Sequence, residues 1–217
     1  MPARKIPRSY RNVTGRVAHG GTSAHFESPL ERDFYRLLRF DSDVQSIHVQ
    51  PLQIPFVRAD GSSGYCYPDA LVIFHPLSGR RTTLYEVKER AKLRQAWGEF
   101  KPKLKAARKR ATLEGWKFKI VTEKEIRTPL LDNADFLLDY KDREVDHLKC
   151  QRILRVLREI DGWTVNKLLD SMESELRTPR LELIPIVWHL VATKQAQVDL
   201  QVPLSGKSPI SARSVPR

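Results

Sequence analysis

Two short stretches gather groups of matched chemistry: Pro68-Asp69 at the head of an apolar run, and Glu86-Val87-Lys88 one hairpin later. On an extended strand side chains alternate between faces, so Glu86 and Lys88 share one face while Tyr85 and Val87 share the other. With Asp69 on the neighbouring strand segment, two carboxylates and an ammonium can converge. Carboxylate oxygens are the hard ligands Mg²⁺ prefers, and the Val87 carbonyl between the two charged residues offers one more. Two such ions about 4 Å apart activate water and stabilise the leaving oxygen of an in-line displacement at phosphorus. Lys88 would orient or deprotonate that water, or neutralise charge building on the phosphate. A plainer reading makes Glu86 and Lys88 a surface ion pair and Asp69 a turn residue, because Asp followed by Glu-x-Lys is a loose pattern. The preceding proline, the adjacent strands and the charge of the whole chain favour the catalytic reading, a magnesium-dependent DNA endonuclease.

That charge is +12 over 217 residues, from 38 Lys and Arg against 26 Asp and Glu, with a pI near 9.9. A polyanionic partner follows, nucleic acid first and an acidic membrane surface second. No apolar stretch approaches the roughly 20 residues of a spanning helix, which sets the membrane aside. A hydrophobic content of 41% is enough for real cores. The basic N-terminus lacks the apolar segment of a secretory signal. The two cysteines, Cys66 and Cys150, lie far apart, so neither a disulfide framework nor a Cys-based zinc site is expected, and a reducing cytoplasm is the default compartment.

The elements that must position the site follow from periodicity. Residues 1–22 form a basic arm, with Arg4, Lys5, Arg8, Arg11 and Arg16 available for phosphates. Ser28-Pro29-Leu30-Glu31 announces a helix, with Ser as N-cap, Pro at the first helical position and an apolar stripe through Leu30, Phe34, Leu37 and Leu38. Short strands follow at residues 44–49, 53–57, 65–67 continuing through 70–74, and 82–88, separated by turns. A basic helix spans residues 91–113, kinked or split by Pro102. Gly115 stops it, and residues 116–121 form another buried strand. This alternation predicts an α/β domain ending near residue 127. Beyond it, helices at 142–160, 165–171 and 181–194 and a strand at 197–202 suggest a winged-helix-like module over residues 128–205. The Ser, Pro and Arg of residues 206–217 read as a disordered tail.

Other candidates each have a plain alternative. Glu31, third residue after the cap, either closes a capping box or reaches the site as a third carboxylate, and periodicity does not separate the two. Lys92, Arg94, Lys101, Lys103, Lys105, Arg108, Lys109 and Arg110 form either a solvated helix face or a set of phosphate contacts. Glu99 is either a further metal-shell oxygen or an ion-pair partner on that helix. His25 and His75 flank the motif without zinc-site spacing. Trp97, Trp116, Trp163 and Trp188 are read as core, and Asn166, Lys167 and Arg180 as DNA contacts or a protein-docking face.

Taken in order, Phe26-Glu27-Ser28-Pro29-Leu30-Glu31-Arg32-Asp33-Phe34, Tyr67-Pro68-Asp69-Ala70-Leu71-Val72, Tyr85-Glu86-Val87-Lys88 and Ile120-Val121-Thr122-Glu123 resemble the TnsA family. These proteins are endonuclease subunits of heteromeric cut-and-paste transposons, including those carrying CRISPR guidance. The resemblance spans residues 23–127 and is weaker over 128–205. It implies a restriction-endonuclease-like core, a mixed sheet flanked by helices, followed by a small, mainly helical winged-helix-like domain. It also implies catalytic roles for Glu31, Asp69 and Lys88. Some relatives carry Gln at the position of Glu86, where this chain has a full carboxylate, closer to the general nuclease pattern. Implied with them are Mg²⁺, two ions with Mn²⁺ able to substitute, and cleavage of the 5′ ends of the element. The implied partners are the RNase H-like transposase TnsB and the AAA+ regulator TnsC, the latter engaged through the C-terminal region. A stand-alone junction or repair nuclease and a non-catalytic DNA-binding adaptor are the competing functions.

Overall fold

The computed structural model describes residues 15–19 and 22–213, with side chains from Phe26 onward. The chain divides into two compact units, Met1–Arg127 and Thr128–Arg217. The basic residues Arg4, Lys5, Arg8 and Arg11 lie outside the described residues, as do the side chains of Arg16 and His25.

The first unit is built on a four-stranded mixed sheet in the order β3-β6-β7-β8: Val44–Val49, Ala70–Phe74, Thr83–Val87 and Lys117–Val121. β3 and β7 pair antiparallel to β6, and β8 runs parallel to β7. A parallel neighbour requires a crossover, supplied by α2 (Arg90–Gln95) and α3 (Trp97–Leu113). α1 (Pro29–Phe40) covers one face. Ser28 caps it by accepting the Glu31 N–H at 3.2 Å, and Pro29 opens it. Its Leu30, Phe34 and Leu38, spaced by four, bury against Val72, Phe74, Tyr85 and Val87. On the other face Leu104, Ala107 and Ala111 of α3 are buried, the latter two packed with Leu71 and Leu84. Strand β7 is therefore central, which explains why it reads as nearly continuous apolar residues around Glu86.

Several elements differ from the sequence reading. Residues 15–19 (β1, Gly15–His19) pair antiparallel with β2 (Thr22–Phe26), so part of the expected arm is a hairpin. β4 (Ile54–Val57) and β5 (Ser63–Cys66) form a separate two-stranded sheet, and β5 does not run on into β6. The basic helix breaks at Ala96, where φ is −117° and ψ 32°, and Pro102 continues inside α3. Its missing N–H removes one bond near the start of the helix, where the turn is already held by the Ala96 carbonyl accepting from Glu99 and Phe100. A short α4 (Glu123–Ile126), closed by a Thr122–Glu125 capping box, follows β8.

The second unit is helical: α5 (Pro129–Lys141), α6 (His147–Glu159), α7 (Val165–Leu176) and α8 (Arg180–Ala192), with a ribbon of β9 (Ala196–Gln197) and β10 (Ser211–Ala212). α8 is its centre, burying Leu183, Ile186, Val187, Leu190 and Val191. The expected strand at 197–202 shrinks to two residues. Asn133 ties down the chain beyond it instead, donating to the Leu200 and Val202 carbonyls and accepting from the Leu204 N–H. The expected disordered tail is ordered to Arg213, and residues 214–217 lie outside the described residues. Ile210 is buried and donates its N–H to the Trp163 carbonyl at 2.9 Å, while Ser208 accepts from Val165. Of the four tryptophans read as core, Trp188 is buried and Trp97 is half exposed.

Candidate active site

The ladder between β6 and β7 decides the geometry. Ala70 stands opposite Tyr85, so Asp69, one residue before the strand, lies level with Glu86, and its Oδ2 accepts the N–H of the next residue, Val87, at 2.6 Å. The Asp69 main chain is fixed as well. Its N–H donates to the Tyr85 carbonyl, and its carbonyl accepts from the Gln50 N–H at 3.0 Å and from the buried Tyr35 hydroxyl at 3.1 Å. Asp69, Glu86 and Lys88 line one cavity of about 260 Å³ with Glu27, Gln50, Tyr65, Tyr67 and Lys103. Lys88 Nζ lies 3.8 Å from Glu86 Oε1 and over the Phe100 ring.

Glu31 is held at the start of α1. Its Oε1 accepts from the Ser28 hydroxyl at 3.0 Å and its Oε2 from the Glu27 N–H at 2.8 Å, a capping arrangement. It is also buried, and its charge acts on Asp69, Glu86 and Lys88. It does not line the cavity. The Val87 N–H is occupied by Asp69, and the Val87 side chain belongs to the core beneath α1.

The electrostatics are those of crowded acids. Burial holds the Asp69 carboxyl well above its ordinary range, with the Glu86 and Glu31 charges adding to it. Burial also raises Glu31, against the opposing hydrogen bonds from Glu27 and Ser28. Glu86 is pushed up to about 7 by burial and by Glu31, against the pull of Lys88 and Lys103. Burial alone would lower Lys88, but Asp69, Glu86, Glu31 and Glu27 together raise it, so it stays an ammonium at neutral pH. Burial, then Asp69 and Glu31, lift the Tyr35 hydroxyl well above its ordinary value, so it remains a donor.

A concentration of carboxylate oxygens held above their usual range fits a hard divalent cation by donor chemistry. Among the described residues no three Asp, Glu, His or Cys side chains stand together as a ready cluster for one ion. Each Glu31 oxygen accepts one hydrogen bond, which leaves a lone pair on each.

The other sequence candidates scatter. Of the basic run, Lys103 alone lines the cavity. Lys92 pairs with Glu89 at 3.1 Å and Arg110 with Glu114 at 2.6 Å. Arg94, Lys101, Lys105 and Lys109 are exposed. Arg108 lines a different cavity, with Arg80, Arg81, Lys117 and Lys119. Glu99 is exposed and lines another, with Phe56, Arg58 and Pro102, which shares Lys103 with the cavity of the acids. His75 sits just beyond the opposite end of β6 from Asp69, about 20 Å away at strand spacing. Arg180 bonds Asn166 and Asp170, Lys167 lies over the Trp163 ring, and Asn166 and Lys167 are exposed. Gln50 and Tyr35, which hold and flank Asp69, were not among the sequence candidates. The signal that could have found Gln50 is a polar residue ending a strand directly before Pro51.

A mixed sheet flanked by helices, with acids and one lysine converging at the ends of its central strands, defines a nuclease-type α/β domain. The family model described as TnsA-like endonuclease N terminal matches residues 41–123, and that described as TnsA endonuclease C terminal matches residues 125–200. The chain belongs to the TnsA endonuclease family, and it is a transposon endonuclease that works with DNA and other Tns subunits in a transposase complex. No curated protein matches the chain. The N-terminal match includes Asp69, Glu86 and Lys88 and begins after Glu31.

Proposed function

We propose that this chain is a Mg²⁺-dependent endonuclease of the bacterial cytoplasm that hydrolyses the 5′ ends of its element, on the non-transferred strands. The observation carrying this reading is the placement of Asp69, Glu86 and Lys88 in one cavity. Asp69, Glu86, the Val87 carbonyl and Glu31 would hold the metal. A bound divalent cation supplies charge to activate water and to offset that developing on the phosphate. Lys88, kept protonated by the surrounding acids, donates to a phosphate oxygen and acts by charge rather than as a base. Lys103 adds a second cation to the same cavity. Water attacks phosphorus, the bond to O3′ breaks, and the products are a 3′-hydroxyl and a 5′-phosphate. The remaining lysines and arginines of α2 and α3 contact backbone phosphates without reading sequence. The RNase H-like transposase TnsB would cut the other strand, and the AAA+ regulator TnsC would engage the second unit.

The resemblance to the family implies an enzyme that is inactive or poorly active without its partners. End-labelled element DNA incubated with Mg²⁺, with and without transposase and regulator, tests this. Cleavage of the 5′-ended strand is expected only in the full mixture and should be lost in Asp69→Ala, whose DNA affinity stays within about twofold of wild type. Cutting of branched DNA by the chain alone would replace this reading with a junction nuclease. Retained binding with no cleavage under any condition would replace it with an adaptor.

A further inference from the structure

Gln50 combines two costly features at one position. Among the described residues, its Oε1 is the one buried side-chain oxygen or nitrogen without a hydrogen-bond partner. Its backbone is left-handed, with φ at 43°, although it carries a side chain and precedes Pro51. Left-handed backbone disfavours residues other than glycine, and a following proline disfavours helical conformations further. A buried acceptor left unpaired costs stability rather than contributing to it. Such features persist where the surroundings enforce them, and they concentrate at functional sites.

The surroundings are specific. Gln50 is 5% exposed and lines the cavity that holds Asp69, Glu86 and Lys88. Its main-chain N–H donates to the Asp69 carbonyl at 3.0 Å, so strand β3 delivers it beside the acid. Its Nε2 donates to Glu27 Oε1 at 3.3 Å. That bond fixes the amide's orientation, because a flipped amide would set its oxygen against a carboxylate oxygen. The carbonyl end is therefore the one left unpaired.

We propose that Gln50 Oε1 is a neutral oxygen ligand for the divalent cation of this cavity, beside Asp69. The inference rests on the metal-dependent reading of the site. An amide oxygen is a hard donor of the kind Mg²⁺ and Mn²⁺ accept. It adds a ligand without adding charge to a place where Glu27, Glu31, Asp69 and Glu86 already repel one another. A glutamate at position 50 would bring a fifth acid against Glu27.

The test is Mn²⁺ binding to the full chain without DNA, read from the electron paramagnetic resonance of free Mn²⁺ and competed with Mg²⁺. Gln50→Leu should weaken Mn²⁺ affinity about tenfold, on the scale of lost metal-shell groups. Its metal-free Tm should equal or exceed that of wild type, because the unpaired oxygen is gone. Gln50→Asn keeps the amide and tolerates the left-handed backbone but withdraws the oxygen by one methylene, so it decides the matter should the leucine variant fail to fold. Affinity within twofold of wild type in the folded variants overturns the proposal, and a lowered metal-free Tm would then mark Gln50 as structural. Asp69→Ala separates the two readings. If wild type binds and Asp69→Ala does not, an unchanged Gln50 variant overturns the Gln50 assignment alone. If wild type itself binds no Mn²⁺, the metal reading falls with it.

Discussion

Glu86 carries a pH dependence whose sign follows from its surroundings. Its folded pKa is pushed up to about 7 by burial and Glu31, against an ordinary value of 4.5. Between those values the folded chain holds a proton that the unfolded chain has released. The associated stability is full below about pH 4.5 and is lost as pH rises through about 7. The shift corresponds to about 3 kcal/mol. Glu86→Gln, neutral throughout, should match wild type in Tm near pH 5 and exceed it by several degrees at pH 7.5, in the absence of metal. Metal-free thermal melts across that range check this, and parallel curves for the two proteins would show that Glu86 is not held in the repulsive environment described. Asp69, Glu86 and Lys88 were legible because a strand's alternation is strict and a proline marked the start of the first segment. Tyr35 and Gln50 were not, since their roles depend on α1 and β3 meeting Asp69 from distant parts of the chain.

At the scale of elements, the start of α1 was legible from four residues, since cap, proline and acid all agree locally. Local signals failed where side chains substitute for a ladder or where backbone bonds alone hold a segment. α5 was missed: its apolar residues are interleaved with Asp132, Asn133, Asp135 and Asp139, and Asn133 is buried to bind the loop before the tail rather than to stay in solvent. The tail itself has the composition of a loop. It is held by main-chain bonds from Val165 to Ser208, from Asn166 to Gly206 and from Ile210 to Trp163, and by the burial of Ile210. A Cβ at Gly206 would meet the Asn166 amide, so a larger residue there would have to displace that side chain. Ending the chain after Ser205 removes these bonds, the β10 half of the ribbon and one buried isoleucine. A loss of about 2–4 kcal/mol is expected, from the isoleucine side chain and a few backbone bonds. It should be visible as a lower-temperature transition for the second unit, with the first unit's transition unchanged. A truncation that melts like the full chain would show that these bonds contribute nothing.

For the whole molecule, the division at Arg127 and Thr128 leaves the candidate site entirely within one unit. The acids and Lys88 lie in the first unit, as do α2 and α3 with their basic residues. That unit also has its own buried core, from Phe26 through Ile126. Its last residue is anchored from within: Arg127 Nε donates to Asp33 Oδ2 at 3.0 Å, and buried Asp33 also accepts from Arg32. A chain ending at Arg127 therefore keeps every contact named at the site. Residues 1–127 should fold cooperatively, bind Mn²⁺ with the affinity of the full chain, and keep salt-sensitive DNA binding, with log affinity falling linearly against log salt. On the proposed engagement of TnsC by the second unit, adding TnsC should no longer stimulate cleavage by this fragment. Stimulation that survives in residues 1–127 would move the regulator's contact into the nuclease unit. A fragment that fails to fold would show that the two units are not independent in stability, whatever their separate cores suggest.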